Sequence, residues 1–78
     1  MSINKKSNIS EKFANRLIKI REQRNLTQEA LGLLCGIDRT YIGRIERLER
    51  NPTLLIVDKI AQGLDMNVSE LLNFNGED

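Results

Sequence analysis

The 78-residue chain has no histidine and a single cysteine, Cys35. That leaves no nucleophile–base pair and no recognisable ligand set for a metal. One cysteine closes no internal disulfide, which suits a reducing compartment. Long apolar runs are missing too. The longest, Leu54-Leu55-Ile56-Val57, falls far short of the ~20 residues that span a bilayer. Met1 to Ser10 is polar and lacks the apolar stretch of a signal peptide. There is no phosphate-cradling G-x-x-x-x-G-K-[ST] loop, no repeat, no low-complexity tract and no linker long enough to divide the chain. The expectation is a cytoplasmic, non-enzymatic protein with no cofactor, no metal and no membrane partner.

What is present is ordinary in bulk and uneven in detail. Apolar residues make up 40% and charged residues 29%, enough for one modest core and too apolar for wholesale disorder. Residues 1–24 carry seven Lys/Arg against two Glu, whereas residues 52–78 carry one Lys against five acids. A net charge of +1 thus hides a basic beginning and an acidic end, a hint of an anionic partner.

Hydrophobic periodicity gives helices and no strand. Ser10 is placed to cap a first helix carrying Phe13, Leu17, Ile20 and Arg24 at helical spacing and ending near Asn25. Thr27 caps a second, about residues 28–35, with Ala30, Leu31, Leu34 and Cys35 as its apolar positions. Asp38 caps a third, about 39–48. The Asn51-Pro52-Thr53 break leads into a fourth with Leu54, Val57, Ile60, Ala61 and Leu64 on one stripe. After a turn at Asp65-Met66-Asn67, Val68 to Phe74 reads as a short fifth helix. The expected architecture is all-α, a compact five-helix domain over residues 10–74, with a polar extension (1–9) and a short tail (75–78).

Only about three residues around Gly36 join the second and third helices, and so short a turn forces a steep crossing, a helix-turn-helix. Gly36 supplies a positive φ, Ile37 plugs the turn, and Gly32 sits where the two helices come closest. At about 100° per residue, Arg39, Thr40, Gly43, Arg44 and Arg47 share one arc of the third helix, with Ile42, Ile45 and Glu46 opposite. Such a face suits the major groove: arginine donates twice to guanine, and a threonine methyl packs on thymine. Gly43 costs the helix ~1 kcal/mol relative to alanine. Its position in this arc suggests that it lets the backbone approach DNA closely.

The stretch LTQEALGLLCGIDRTYIGRIERLERNPTLLIVDKIAQGL resembles the Cro/C1-type (Xre) helix-turn-helix domain of phage repressors. More narrowly, DRTYIGRIERLERNP is similar to the controller proteins of restriction–modification systems. The resemblance implies a lambda-repressor-like fold and assigns roles by position. Arg39 and Thr40 match base-reading positions. Gln28, Arg50 and Asn51 match backbone-contacting ones, and Arg47 reads as a phosphate contact from the end of the helix. Tyr41 lies at the edge of the arc, open either to a DNA contact or to a place in the core. Arg44 stands where controller proteins usually have a small residue; a base contact and a phosphate contact both remain open to it. Arg21 and Glu46 match a structural ion pair between the first and third helices.

For partners, the resemblance implies double-stranded operator DNA bound by a homodimer, two dimers on adjacent sites, and a contact to RNA polymerase. Leu55 and Ile56 on the flanks of the fourth helix, with Leu71, Leu72 and Phe74, are the expected dimer interface. The function implied is a controller that activates and represses its own gene and the linked endonuclease gene from a pseudo-palindromic operator. An antitoxin, a phage-type repressor, and a protein-interaction module that has lost DNA binding are the alternatives.

Overall fold

The computed structural model describes residues 8–75, and these form five helices with no strand among them. In chain order they are α1 (Ile9–Gln23), α2 (Gln28–Cys35), α3 (Arg39–Glu46), α4 (Leu54–Gly63) and α5 (Val68–Leu71). The expected extension and tail fall largely outside the described residues.

Three helices start where a side-chain oxygen meets a free backbone N–H. Thr27 accepts from the Ala30 amide at 3.0 Å, Asp38 from Thr40 at 2.7 Å and Thr53 from Ile56 at 3.1 Å. The Thr40 amide holds the Asp38 carboxyl below the usual carboxylate range. Because the folded value is depressed, this cap contributes fully above the ordinary carboxylate pKa. It is lost as pH falls through the depressed value. Ser10 does not cap α1. Asn8 occupies the cap position without a side-chain cap bond, and Ser10 lies within the first turn, where its hydroxyl donates to Asn51 Oδ1 at 2.6 Å.

The helix ends are alike. Asn25, Leu48 and Asp65 adopt left-handed φ values of 58°, 64° and 58°. In each case the following N–H reaches back five residues: Leu26 to Arg21 O, Glu49 to Arg44 O, Met66 to Ala61 O. This is the Schellman turn, usually built on glycine. Gly36, at φ 69°, ends α2 in the same backbone region. Helix α3 therefore stops at Glu46 rather than Leu48, because Leu48 has left the helical region. Helix α5 is one turn and ends at Leu71, short of Phe74.

The core gathers Phe13, Leu17 and Ile20 of α1, Leu31 of α2, Ile42 and Ile45 of α3, Val57, Ile60 and Ala61 of α4, then Leu64 and Leu71. Ile37 fills the turn beneath α2 and α3. Two glycines set the closest approaches. A Cβ on Gly32 would run into the Ile37 carbonyl, and one on Gly63 would lie 2.8 Å from Cys35 Cα and 2.9 Å from the Leu34 carbonyl. Gly32 was legible as a contact glycine; Gly63, which lets α4 press on α2, was not. The apolar stripes needed two corrections. Leu34 is 54% exposed and Leu54 82% exposed, since the buried faces of α2 and α4 are each narrower than the run of apolar letters. Arg24, which follows the apolar spacing of α1, caps the helix end and donates to the Leu64 carbonyl at 2.6 Å. Arg16 ties α1 to α5 in the same manner, through the Glu70 and Leu71 carbonyls.

Candidate nucleic-acid interface

Helix α3 packs against α2, and its outer face carries Arg39, Thr40, Arg44 and Arg47, all exposed. Two grooves flank it. One, about 630 Å³, is lined by Arg21, Thr27, Gln28, Glu29, Arg39, Thr40, Gly43 and Arg47. The other, about 250 Å³, is lined by Asp38, Thr40, Tyr41, Arg44 and Arg50. Thr40 lies on the ridge between them. The structure thus places Gln28, Arg39, Thr40 and Arg47 on one side and Tyr41, Arg44 and Arg50 on the other. Asn51 stands apart, beside Ser10 at the start of α1.

Behind this surface, Glu46 joins three helices. Its carboxylate, 5% exposed, accepts from Arg21 Nε at 2.8 Å, from Arg21 Nη2 at 3.0 Å and from Gln28 Nε2 at 2.8 Å. Arg21 also donates to the Leu26 carbonyl at 2.9 Å. The bond to Glu46 raises the Arg21 pKa above its ordinary value. Among the described residues no buried side-chain polar atom lacks a hydrogen-bond partner. The carboxylate therefore fixes the orientation of Gln28 at the N-terminus of α2, where free backbone amides and the helix dipole favour an anion.

Of the two readings open to Tyr41, the structure bears on its place in the core. Half-buried, the tyrosine packs against the core, and the Arg50 guanidinium sits 5.5 Å from its ring centroid. Stacking of this kind restrains Arg50 beside the groove it shares with Arg44.

Gly43 needs correction. It does not lie open on the α3 face but is buried beneath two side chains. A Cβ there would meet Arg47 Nη1 at 3.0 Å and Gln28 Oε1 at 3.2 Å. The glycine makes room for the two groups rather than for DNA directly. Arg47 can swing away, but Gln28 is held by Glu46, so in Gly43→Ala the helix-propensity gain of up to ~1 kcal/mol should be largely offset and stability should change little. The substitution should also push Gln28 and Arg47 aside and weaken DNA binding. Thermal melts with a binding titration on the same variant check this; unchanged affinity removes the packing role.

Sequence reasoning missed the acids. Glu29 approaches Arg39 at 3.6 Å and Glu49 holds Arg47 at 3.1 Å. Neither acid is on α3, and neither pair follows a helical spacing. Glu29 reaches Arg39 from α2 across the contact between the two helices, and Glu49 reaches Arg47 through the turn at Leu48. The interface contacts expected from sequence also divide. Leu71 is 0% exposed and belongs to the monomer core, so it offers no surface to a partner. Ile56, Leu72 and Phe74 are half-buried against that core, whereas Leu55 is exposed. Ile9 and Leu54, both exposed, rim an apolar groove of about 320 Å³ floored by Phe13, Pro52, Val57 and Leu72.

A short turn on Gly36, a plugging isoleucine and an outward arginine–threonine helix define a helix-turn-helix module. Residues 17–71 match the Helix-turn-helix family, and the chain belongs to that family. It is 41% identical over 68 residues to Control protein C.SmaI from Serratia marcescens, covering 87% of this chain and 81% of that protein. Two crystal structures of restriction–modification controller proteins are similar in fold. C.AhdI from Aeromonas hydrophila has a TM-score of 0.73 at 43% identity, covering 77% of this chain and 91% of its own. For C.Esp1396I the TM-score is 0.79 at 33% identity, with 94% and 97% covered.

Proposed function

We propose that the chain is a dimeric, sequence-specific DNA-binding regulator of transcription, working as the controller protein of a restriction–modification system. The observation that carries the reading is the α3 face: exposed arginines around Thr40, held by a backing network that leaves its buried charges paired. The controller assignment rests on likeness to C.SmaI, C.AhdI and C.Esp1396I.

In this reading Arg39 and Thr40 enter the major groove and read bases, with Arg44 beside them. Tyr41 closes the edge of that surface. Gln28, Arg47 and Arg50 grip phosphates, which fixes register without reading sequence. Asn51 contributes from its place by Ser10. The protein needs neither metal nor cofactor for this and catalyses no reaction. It acts in the cytoplasm on nucleoid DNA, with RNA polymerase as a further partner and two dimers on adjacent sites.

The proposed dimer interface uses Leu55, Ile56, Leu72 and Phe74, joined by Ile9 and Leu54. An exposed leucine pair next to an apolar groove is more than an isolated domain requires. Two protomers related by a twofold axis would present their α3 helices to half-sites about one helical turn, ~34 Å, apart. Footprinting on the DNA upstream of the chain's own gene, together with sedimentation equilibrium, tests the proposal. Two symmetric protected half-sites and a dimer are expected. A monomer that protects no site would leave a protein-interaction module as the better reading. Leu54→Glu combined with Leu55→Glu should shift the equilibrium to monomer while the domain stays folded. A dimer that survives both changes places the interface elsewhere.

A further inference from the structure

Arg47 closes α3 on the proposed DNA side, yet its guanidinium is already engaged. Nε donates to Glu49 Oε2 at 3.1 Å and Nη2 to Glu49 Oε1 at 3.3 Å. Two parallel bonds to a carboxylate are the fork geometry with which arginine also grips a phosphate. We propose that Glu49 is an internal competitor for the phosphate contact of Arg47. It lowers affinity for all duplex DNA without changing which sequence is preferred. The inference rests on the DNA-binding reading above.

The backbone builds this arrangement. Residues two apart on a helix do not face each other, so Arg47 and Glu49 meet only because the helix has ended. Leu48 takes a left-handed φ of 64°, a conformation that costs a non-glycine residue, and the Glu49 amide bonds back to the Arg44 carbonyl at 2.8 Å. That turn folds Glu49 alongside the last turn of α3. On its other side Arg47 lies over Gly43, where a Cβ would come within 3.0 Å of Nη1. The guanidinium is thus laid over a bare patch of helix and clasped by a carboxylate. The bond from Arg47 holds the Glu49 carboxyl below the usual carboxylate range, and the Arg47 and Arg44 charges add to this. Glu49 is therefore ionised at neutral pH.

When Arg47 turns to a phosphate, the clasp opens and the released carboxylate faces an anionic backbone. Both effects apply to every DNA sequence alike, because phosphate contacts carry no base information. An exposed ion pair is weak, so the handicap is modest and weakens the Arg47 contact on operator and bulk DNA alike.

The test compares the wild-type chain, Glu49→Gln, Arg47→Ala and the double variant. Each is titrated with a duplex from upstream of the chain's own gene and with a scrambled duplex of equal composition, across a salt series. Glu49→Gln, with one such pair on each protomer of the dimer, should tighten binding to both duplexes by about two- to thirtyfold at low salt. The ratio between them should stay unchanged, and most of the gain should disappear when Arg47 is alanine, leaving only the part that comes from repulsion between Glu49 and the DNA backbone. No gain, or a gain that persists in full in the Arg47→Ala background, overturns the proposal. The second outcome would mean that Glu49 only repels DNA through space. If the wild-type chain shows no salt-dependent binding, the DNA-binding reading fails and takes the proposal with it. That failure is distinct because it precedes any substitution.

Discussion

Arg21→Ala should destabilise the domain by about 3 kcal/mol, as expected when one partner of a buried pair is removed. A chain of this size has on the order of 4–12 kcal/mol to lose, so the midpoint of thermal unfolding should fall steeply. The cause is Glu46 rather than the missing guanidinium. With a side chain 5% exposed, the carboxylate would keep only the Gln28 amide for company, in a site water barely reaches. Arg21 also supplies the donor for the Leu26 carbonyl in the loop leading into α2. Circular-dichroism melts check the expectation, and a loss below about 1 kcal/mol would class the pair with solvated surface pairs. Replacing both partners by apolar residues of similar volume should restore much of the stability. It should not restore DNA affinity, because Gln28 would have lost the group that orients it. The double replacement therefore separates the structural role of the network from its role in positioning.

The second large effect falls on specificity. Arg39→Ala should abolish the preference for the operator and leave weak, salt-dependent binding to any duplex. A good bidentate arginine–guanine contact discriminates by ~1–3 kcal/mol. A symmetric dimer makes the contact twice, so the operator-to-scrambled ratio should drop about thirtyfold or more. Stability should hardly change, since the contact between Arg39 and Glu29 is long, at 3.6 Å, and both side chains are mostly exposed. Parallel titrations on the two duplexes decide the matter. An equal loss on both would make Arg39 a phosphate contact and move base reading to Thr40 and Arg44.

These two residues show how far the sequence carried. Periodicity and cap chemistry sufficed for the helices, because Thr27, Asp38 and Thr53 are short polar residues with one natural job before an apolar run. The third helix divided cleanly into faces because its letters alternate between arginine and isoleucine at helical spacing. Where periodicity had little to work on, the reading slipped. Leu54 and Leu34 look like core in a string of leucines, and only packing shows that α4 and α2 turn them outward. Leu71 slipped the other way, into the core. Gly63 carries no local signal, since its meaning lies in Cys35 across an interhelical gap. Glu29 comes near Arg39 across the α2–α3 contact and Glu49 clasps Arg47 through the Leu48 turn, which is hidden because leucine rarely adopts a left-handed φ. Gly43 stands out in the sequence through its cost within a helix. What it accommodates became visible only with the side chains of Gln28 and Arg47 in place.

The central claim is that α3 and its flanking loops grip the DNA backbone with a defined set of cations. Its most direct test is the affinity of the wild-type chain for the upstream duplex as salt rises from about 50 to 200 mM. With Arg47 and Arg50 of two protomers releasing roughly four counterions, affinity should fall about 10²-fold, linearly in the logarithm of salt concentration. An affinity that barely moves across that range would contradict the account.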